Sequence, residues 1–320
     1  MKRRDFLKTG VVGYGAWTLG ALGLSPALRG ETSKGTVPKR RLGKTGVDLS
    51  IIGFGGMSWR DLEQSRVNRM VAESVEQGVN FLDVSPRYRN SEVLAGPAIE
   101  PYRDEIFLAS KTAERDAAGA RSELNQSLDR LRTDHLDLYQ LHNLQELERD
   151  VETAFGKGGA MEVLREARDA GVVRYLGFSA HTEEAAVRAM ELFDFDTIMF
   201  PVNFVTEYRG NFGPRVLEKA FEREMGVFAL KPMMTQRGAR NSEIRQKYRR
   251  LWYEPAFERR QASLGLRWAL SKPVTSALPP GDPDLYQMAL SIAKDFSPLT
   301  ADEEKEVYAM AQDYDPLFSA

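Results

Sequence analysis

Between residues 51 and 278 the chain alternates two kinds of hydrophobic pattern. Short apolar runs, rich in β-branched residues, occupy 51–55, 80–84, 106–110, 136–141, 175–179, 197–202, 227–231 and 274–278. Runs this short, bounded by turn residues, read as buried strands. Between them lie longer segments whose apolar positions recur every three or four residues. In 65–77, Val67, Met70, Val71, Ser74 and Val75 fall on one stripe; in 122–131, Leu124, Leu128 and Leu131 do the same, so both segments read as amphipathic helices. Gly78, Gly171 and Gly226 stand just beyond three such segments, where a helix C-cap needs a left-handed residue.

Eight strands, each followed by a helix, predict an α/β fold closed as a (β/α)8 TIM barrel, with its chemistry at the C-terminal strand ends. Ahead of the first strand, 40–42 and 47–49 flank Gly43-Lys44-Thr45-Gly46 and predict a β-hairpin that plugs one end of the barrel. The stretch 233–255 is long for a βα connection and carries six Lys or Arg against two Glu. It reads either as a functional loop at the mouth or as a solvated loop with one helical turn.

Composition fits this picture and removes several function classes. A chain of 320 residues, 42% hydrophobic and 28% charged, suits one large soluble barrel. A formal net charge of −2 offers no basic excess for nucleic acid, whose phosphates demand clustered Lys and Arg. The chain has no cysteine, which excludes disulfides, thiolate metal sites and Cys nucleophiles. Its three histidines, His135, His142 and His181, form no His-Glu-x-x-His pattern, so no metal site is expected.

The first residues change the expected setting. Lys2-Arg3-Arg4-Asp5-Phe6-Leu7-Lys8 precedes a glycine-rich apolar stretch over 9–24 and then Ser25-Pro26-Ala27, a small-residue cleavage pattern. The paired arginines followed by Phe-Leu-Lys resemble a twin-arginine signal. The expected organisation is a signal peptide over 1–27, a linker over 28–38 and a barrel over 39–320. The twin-arginine export machinery is then a partner, the destination is periplasmic or otherwise exported, and no stable membrane span remains after processing.

Four polar groups fall at neighbouring strand ends: Asp83 on the second strand, Tyr88 in its loop, Lys111 on the third strand and His142 on the fourth. Together they suit carbonyl reduction. A phenol with an ordinary pKa near ~10 hands a proton to a developing alkoxide, and a nearby ammonium stabilises the phenolate. Asp83 would hold Lys111, while His142 would orient the carbonyl oxygen and stabilise the charge that forms on it.

The segment Phe81-Leu82-Asp83-Val84-Ser85-Pro86-Arg87-Tyr88-Arg89-Asn90-Ser91-Glu92 resembles the Asp-Thr-Ala-x-x-Tyr-Gly-x-Ser-Glu motif of aldo-keto reductases. Leu108-Ala109-Ser110-Lys111, Leu136-Asp137-Leu138-Tyr139-Gln140-Leu141-His142 and Gly171-Val172-Val173-Arg174-Tyr175-Leu176-Gly177-Phe178-Ser179 extend the resemblance, which covers roughly 39–312. It implies an NAD(P)(H)-dependent oxidoreductase that moves a hydride between a nicotinamide cofactor and the carbonyl or alcohol of a small substrate, an aldehyde, ketone or sugar. Asp83, Tyr88, Lys111 and His142 are then its catalytic quartet.

Gly56, Met57, Ser179, Asn203, Leu230, Lys231 and Gly281 correspond to family positions around the cofactor. For Asn203 a strand-end cap is an equal alternative. Two positions depart from the pattern. Leu230 stands where many relatives stack an aromatic ring on the nicotinamide. Pro279-Pro280-Gly281-Asp282 replaces the Lys-Ser and Arg that grip the 2′-phosphate in NADP-preferring relatives.

Gly281 and the helix start after it are expected to bind pyrophosphate, with Arg237 or Arg240 left for a 2′-phosphate, so the cofactor is NADP(H) or NAD(H). Trp59, Arg60, Arg87 and parts of 233–255 are expected to line the substrate pocket. The alternative function is a nucleotide-binding barrel with a sensor or assembly role.

Overall fold

The protein is described by a computed structural model covering residues 35–320 other than Arg240 and Asn241; the signal expected over 1–27 and most of the expected linker lie outside the described residues. Two short strands, β1 (Lys39–Arg41) and β2 (Asp48–Ser50), pair antiparallel. The barrel strands are β3 (Phe54–Gly55), β4 (Phe81–Asp83), β5 (Phe107–Thr112), β6 (Leu136–Leu144), β7 (Val173–Ala180), β8 (Thr197–Pro201), β9 (Gly226–Leu230) and β12 (Ser276–Leu278). A hairpin of β10 (Met234–Arg237) and β11 (Tyr253–Pro255) lies between the last two.

The helices are α1 (Gln64–Glu76), α2 (Ser91–Ile99), α3 (Ala117–Leu131), α4 (Thr153–Phe155), α5 (Ala160–Asp169), α6 (Glu183–Leu192), α7 (Phe204–Gly210), α8 (Pro214–Glu222), α9 (Glu243–Lys247), α10 (Arg259–Leu270), α11 (Pro283–Lys294) and α12 (Ala301–Ala311). Among the described residues no helix is long and apolar enough to cross a membrane.

All eight barrel strands are parallel and run in chain order around the sheet. The ring closes through a bridge between Ile52 and Ala277, where Gly53 N donates to Ala277 O at 3.0 Å and Ala277 N to Ile51 O at 2.8 Å. Two apolar layers follow from the alternation of side chains along each strand. Inside the barrel, Leu42, Leu49, Phe81, Phe107, Leu138, Met199, Phe228 and Leu278 pack together. Outside it, strand residues such as Leu82, Leu108, Leu176 and Ile198 meet the helical stripes; Val67, Met70, Val71 and Ser74 of α1 are all buried.

The hairpin plugs the N-terminal end of the barrel, as expected. Leu42 is fully buried, and a Cβ built on Gly226, the first residue of β9, would fall 2.2 Å from Leu42 Cδ1. Position 226 therefore needs glycine for that close approach. It does not cap a helix: α8 ends instead through Glu224, at φ 55°, with Met225 N donating to Ala220 O. Gly78 and Gly171 do take the left-handed conformation, at φ 90° and 75°. The stretch 233–255 carries one short helix, α9, and lies at the mouth, as the two readings had it; what neither foresaw is that its two limbs pair as β10 and β11 and place Leu251, Trp252 and Tyr253 against the barrel mouth.

Candidate active site

A cavity of about 230 Å³ opens at the C-terminal strand ends, lined among others by Asp83, Tyr88, His142, Ser179, His181 and Lys231. Asp83 closes β4 opposite Ala109, and Lys111 stands two residues further along β5 on the same face, so the ladder brings the two side chains together in the barrel interior. Lys111 Nζ donates to Asp83 Oδ1 at 2.5 Å, to Oδ2 at 2.6 Å and to Val84 O at 2.9 Å, and its side chain is fully buried. Burial opposes a charge here, but the Asp83 carboxylate and the Tyr88 phenol outweigh it and hold the ammonium above its ordinary range. Gln140 Nε2 adds a long donor to Asp83 Oδ1, at 3.4 Å.

Tyr88 sits in a tight turn after β4, with its N–H on Ser85 O and its carbonyl accepting from Ser91 N at the start of α2. Lys111 Nζ lies 5.0 Å from the centre of its ring. Burial raises the phenol above its ordinary value, with Lys111 pulling the other way, so Tyr88 keeps its proton at neutral pH.

His142 owes its position to a break in the β6–β7 ladder. Leu141 pairs with Phe178 and Leu144 with Ala180, so His142 and Asn143 together oppose Ser179. Such a bulge turns a side chain out of the regular alternation. Asn143 adopts φ 61° and its N–H goes to Ser179 Oγ at 2.7 Å instead of to a backbone carbonyl. The His142 ring stands edge-on to Tyr88 with centroids 5.6 Å apart. Its Nδ1 meets Ser85 Oγ at 3.1 Å; that hydroxyl already accepts from Arg87 N, and its own proton is free for Nδ1. The pairing favours the tautomer with the proton on Nε2. Burial, followed by the cations Lys111, Arg115, Arg87 and Lys231, holds the imidazole well below its ordinary range, so it is neutral. Ser85 lies inside the quoted motif, but its role depends on a contact across 57 positions that spacing along the chain does not show.

The expected cofactor residues divide. Met57, Ser179, Leu230, Lys231 and Gly281 line the cavity. Gly56 does not; an added Cβ there would fall 3.1 Å from Ser91 and Val84, so it is a packing glycine, and Gly55 lines the cavity instead. Asn203 is corrected to a structural role. Its Oδ1 accepts from Val205 N and Thr206 N at the start of α7, and its Nδ2 donates to Lys231 O and Met234 O. Two acceptor sites and two donors are thereby used, which leaves nothing for a nicotinamide amide.

The pyrophosphate expected at α11 meets a similar obstacle. Asp282 caps that helix by accepting from Asp284 N and Leu285 N, and Pro283 has no N–H, so the helix start offers no free donor in its first three positions and presents a carboxylate. Arg237 is at the exposed end of β10, and Arg240 lies outside the described residues.

The expected pocket residues divide as well. Trp59 is fully buried and donates to Ser91 O; Arg60 donates to Arg250 O; Arg87 pairs with Glu114 at the surface. None of the three lines the cavity, whereas the stretch 233–255 contributes to it as expected, through Arg250, Leu251, Trp252 and Tyr253.

His181 was not expected at the site. It follows β7, and its Nε2 lies 2.9 Å from Lys231 Nζ. Sequence periodicity marks neither residue as a member of a pair fifty positions apart.

Comparison with known proteins agrees with this architecture. Aldo-keto reductase YhdN of Bacillus subtilis is 34% identical over 178 residues, covering 50% of this chain and 52% of that protein. The 6-dehydroglucose reductase of Novosphingobium aromaticivorans is 31% identical over 167 residues, covering 45% and 52%. The chain spans about half the length of the curated relatives it matches. Among solved structures, aldo-keto reductase AKR11C1 of Bacillus halodurans, in its holo form, superposes with a TM-score of 0.67 at 22% identity, covering 86% of this chain and 96% of that one, which is a likeness of fold. Residues 51–307 match the model of the aldo/keto reductase family, and this barrel, with its buried Asp–Lys pair beside a tyrosine and a neutral histidine, belongs to that family.

Proposed function

We propose that the protein is a nicotinamide-dependent carbonyl reductase, and the observation that carries the reading is the cluster of Asp83, Lys111, Tyr88 and His142 at one cavity. The nicotinamide end of NADP(H) or NAD(H) fits that cavity. Met57, Met199, Leu230 and Leu278 supply an apolar wall, and Ser179 Oγ, which accepts from Asn143 N, retains its own proton for a polar group. When bound, the cofactor supplies or accepts the hydride.

The chain's own residues then manage the oxygen. The Nε2–H of neutral His142 orients the carbonyl, and the Tyr88 phenol donates the proton that converts the alkoxide to an alcohol. Lys111, fixed by Asp83, eases the charge left on the tyrosine oxygen. An aldehyde, ketone or sugar carbonyl meets these demands; the likeness to a 6-dehydroglucose reductase supports an oxidised sugar among the candidates. A binding barrel with a sensor role has no comparable observation behind it, because binding alone gives no use for all four groups. Tyr88→Phe should lower kcat/KM for a responsive aldehyde by roughly 10²- to 10⁴-fold while nucleotide binding persists. Unchanged turnover by that variant would remove the proton-donor role.

The same proposal includes export by the twin-arginine route, supported by Arg3-Arg4 and the apolar stretch after them. A folded enzyme carrying its nucleotide suits that route. Arg3→Lys with Arg4→Lys should keep the protein in the cytoplasm, read by fractionation; normal export of the double variant would refute this half of the proposal.

A further inference from the structure

Lys231 is a buried amine for which the reaction described above has no use. It follows β9 with φ 59°, a conformation that a residue with a Cβ rarely adopts. Asn203 Nδ2 and Met234 N both donate to its carbonyl and hold the backbone there. The side chain is thereby delivered into the wall of the cavity, 8% exposed, with Nζ over the rings of Trp252 and Phe318 at 5.5 and 5.3 Å. Its polar contact is His181 Nε2 at 2.9 Å. Among the described residues no carboxylate lies within ion-pair distance of Lys231.

His181 repeats the imbalance. Its Nδ1 is buried without a hydrogen-bond partner, and Lys231 together with His142 adds to burial in keeping the ring uncharged. Arg250, also in the cavity wall, donates Nη1 to the carbonyl of Ser58 at 3.4 Å, and no carboxylate pairs with it among the described residues. Among the described residues the one carboxylate in the cavity wall, Asp83, is taken up by Lys111. Burying an amine and an imidazole beside each other, with no anion, is costly unless a ligand supplies the anion.

We propose that Lys231 and His181 form an anion-binding dyad in this cavity, and that the carbonyl substrate carries a carboxylate held by the dyad while the carbonyl meets Tyr88 and His142. The proposal rests on the reductase reading for the carbonyl half alone. A carboxylate suits the site better than a phosphate. With Lys231 Nζ donating to His181 Nε2, the imidazole proton lies on Nδ1, which has no acceptor; that N–H and the ammonium match two oxygens, whereas phosphate sites are built from rows of free backbone N–H groups, and the start of α11, just after Gly281 in the cavity wall, has given its own to Asp282. Trp252, Phe318, Leu251 and Leu230 around the dyad favour an apolar body between the two groups.

The test compares 4-formylbenzoate with its methyl ester as substrates, with NADPH and with NADH. The wild type should favour the acid, and the acid-to-ester ratio of kcat/KM should fall roughly 10- to 100-fold in Lys231→Met, mainly through KM, with partial recovery in Lys231→Arg. His181→Gln should move the ratio in the same direction and serves if Lys231→Met does not fold. An unchanged ratio overturns the dyad, including the case in which Lys231→Met weakens only nucleotide binding and so belongs to the cofactor. If the wild type reduces neither aldehyde, the reductase reading fails separately. Calorimetric binding of 4-formylbenzoate then decides the dyad: binding to wild type and loss in Lys231→Met support it, and equal or absent binding overturns it.

Discussion

Lys111 and Lys231 stand at the same barrel mouth, both nearly removed from water, and the fold treats them in opposite ways. Lys111 is clasped by both oxygens of Asp83 and by a backbone carbonyl, and its charge is held in place. Lys231 has an imidazole and two aromatic rings, and burial lowers its amine to about 7. One charge is fixed by the fold before any ligand arrives. The other is left to be fixed by what binds. The difference separates groups that do the same work on every substrate from groups that choose among substrates.

The strongest way to break the contrast is to make Lys111 resemble Lys231. Asp83→Asn leaves a buried ammonium without its anion and should cost about 3–5 kcal/mol of stability at neutral pH, measured by urea unfolding. Adding Lys111→Met to that variant should restore most of the stability without restoring turnover. If Asp83→Asn costs less than about 1 kcal/mol, the pair is not the fixed charge described here.

The next largest effect concerns pH. Lys231 titrates near 7 in the fold and near its ordinary 10.5 when unfolded, so between those values the unfolded chain binds the extra proton. Stability of the wild type relative to Lys231→Met should therefore rise as pH increases from about 7 toward 10.5, by up to a few kcal/mol, and stay at its lowest below 7. His181 is held uncharged beside it and titrates below this window. Thermal unfolding of both proteins across the range checks the sign, and a flat difference would show that the buried amine carries no such penalty.

The smallest effect belongs to Asp282, a carboxylate at the same mouth that the fold uses on a helix. Asp282→Ala removes the cap of α11 and should cost about 1 kcal/mol. It also frees the N–H groups of Asp284 and Leu285 and removes a negative charge, so affinity for NADPH should rise relative to NADH, as read by fluorescence titration. A fall in NADPH affinity would mean that Asp282 helps to hold the cofactor.

The barrel was legible because buried parallel strands are short apolar runs, and each of the eight appears within a few residues of its expected place. The quartet was legible because strand ends converge in a closed barrel whatever the details of packing. What escaped depends on contacts between distant segments. Asn203 could be read as a cap or as a cofactor contact because two of its four hydrogen bonds go to Lys231 and Met234, about thirty positions away. The bulge that sets His142 and uses Ser179 leaves no mark in the alternation of residues. The left-handed turns at Asn143, Glu224 and Lys231 carry no glycine to announce them. Arg87 and Arg60 looked like pocket residues because loop position says which end of the barrel a residue occupies, but not which way its side chain leaves the loop.

The seam between Ile52 and Ala277 bears on the order of events during synthesis. The strand leading into the barrel must wait for a partner made more than two hundred residues later, and Arg40 waits likewise for the carbonyl of Val274. Until that last strand emerges, the nascent protein is an open sheet with two unpaired margins, and the hairpin plug has only part of its seat. The proposed route for folded cargo would therefore have to act after β12 has been made, because no version ending before it can shut the ring.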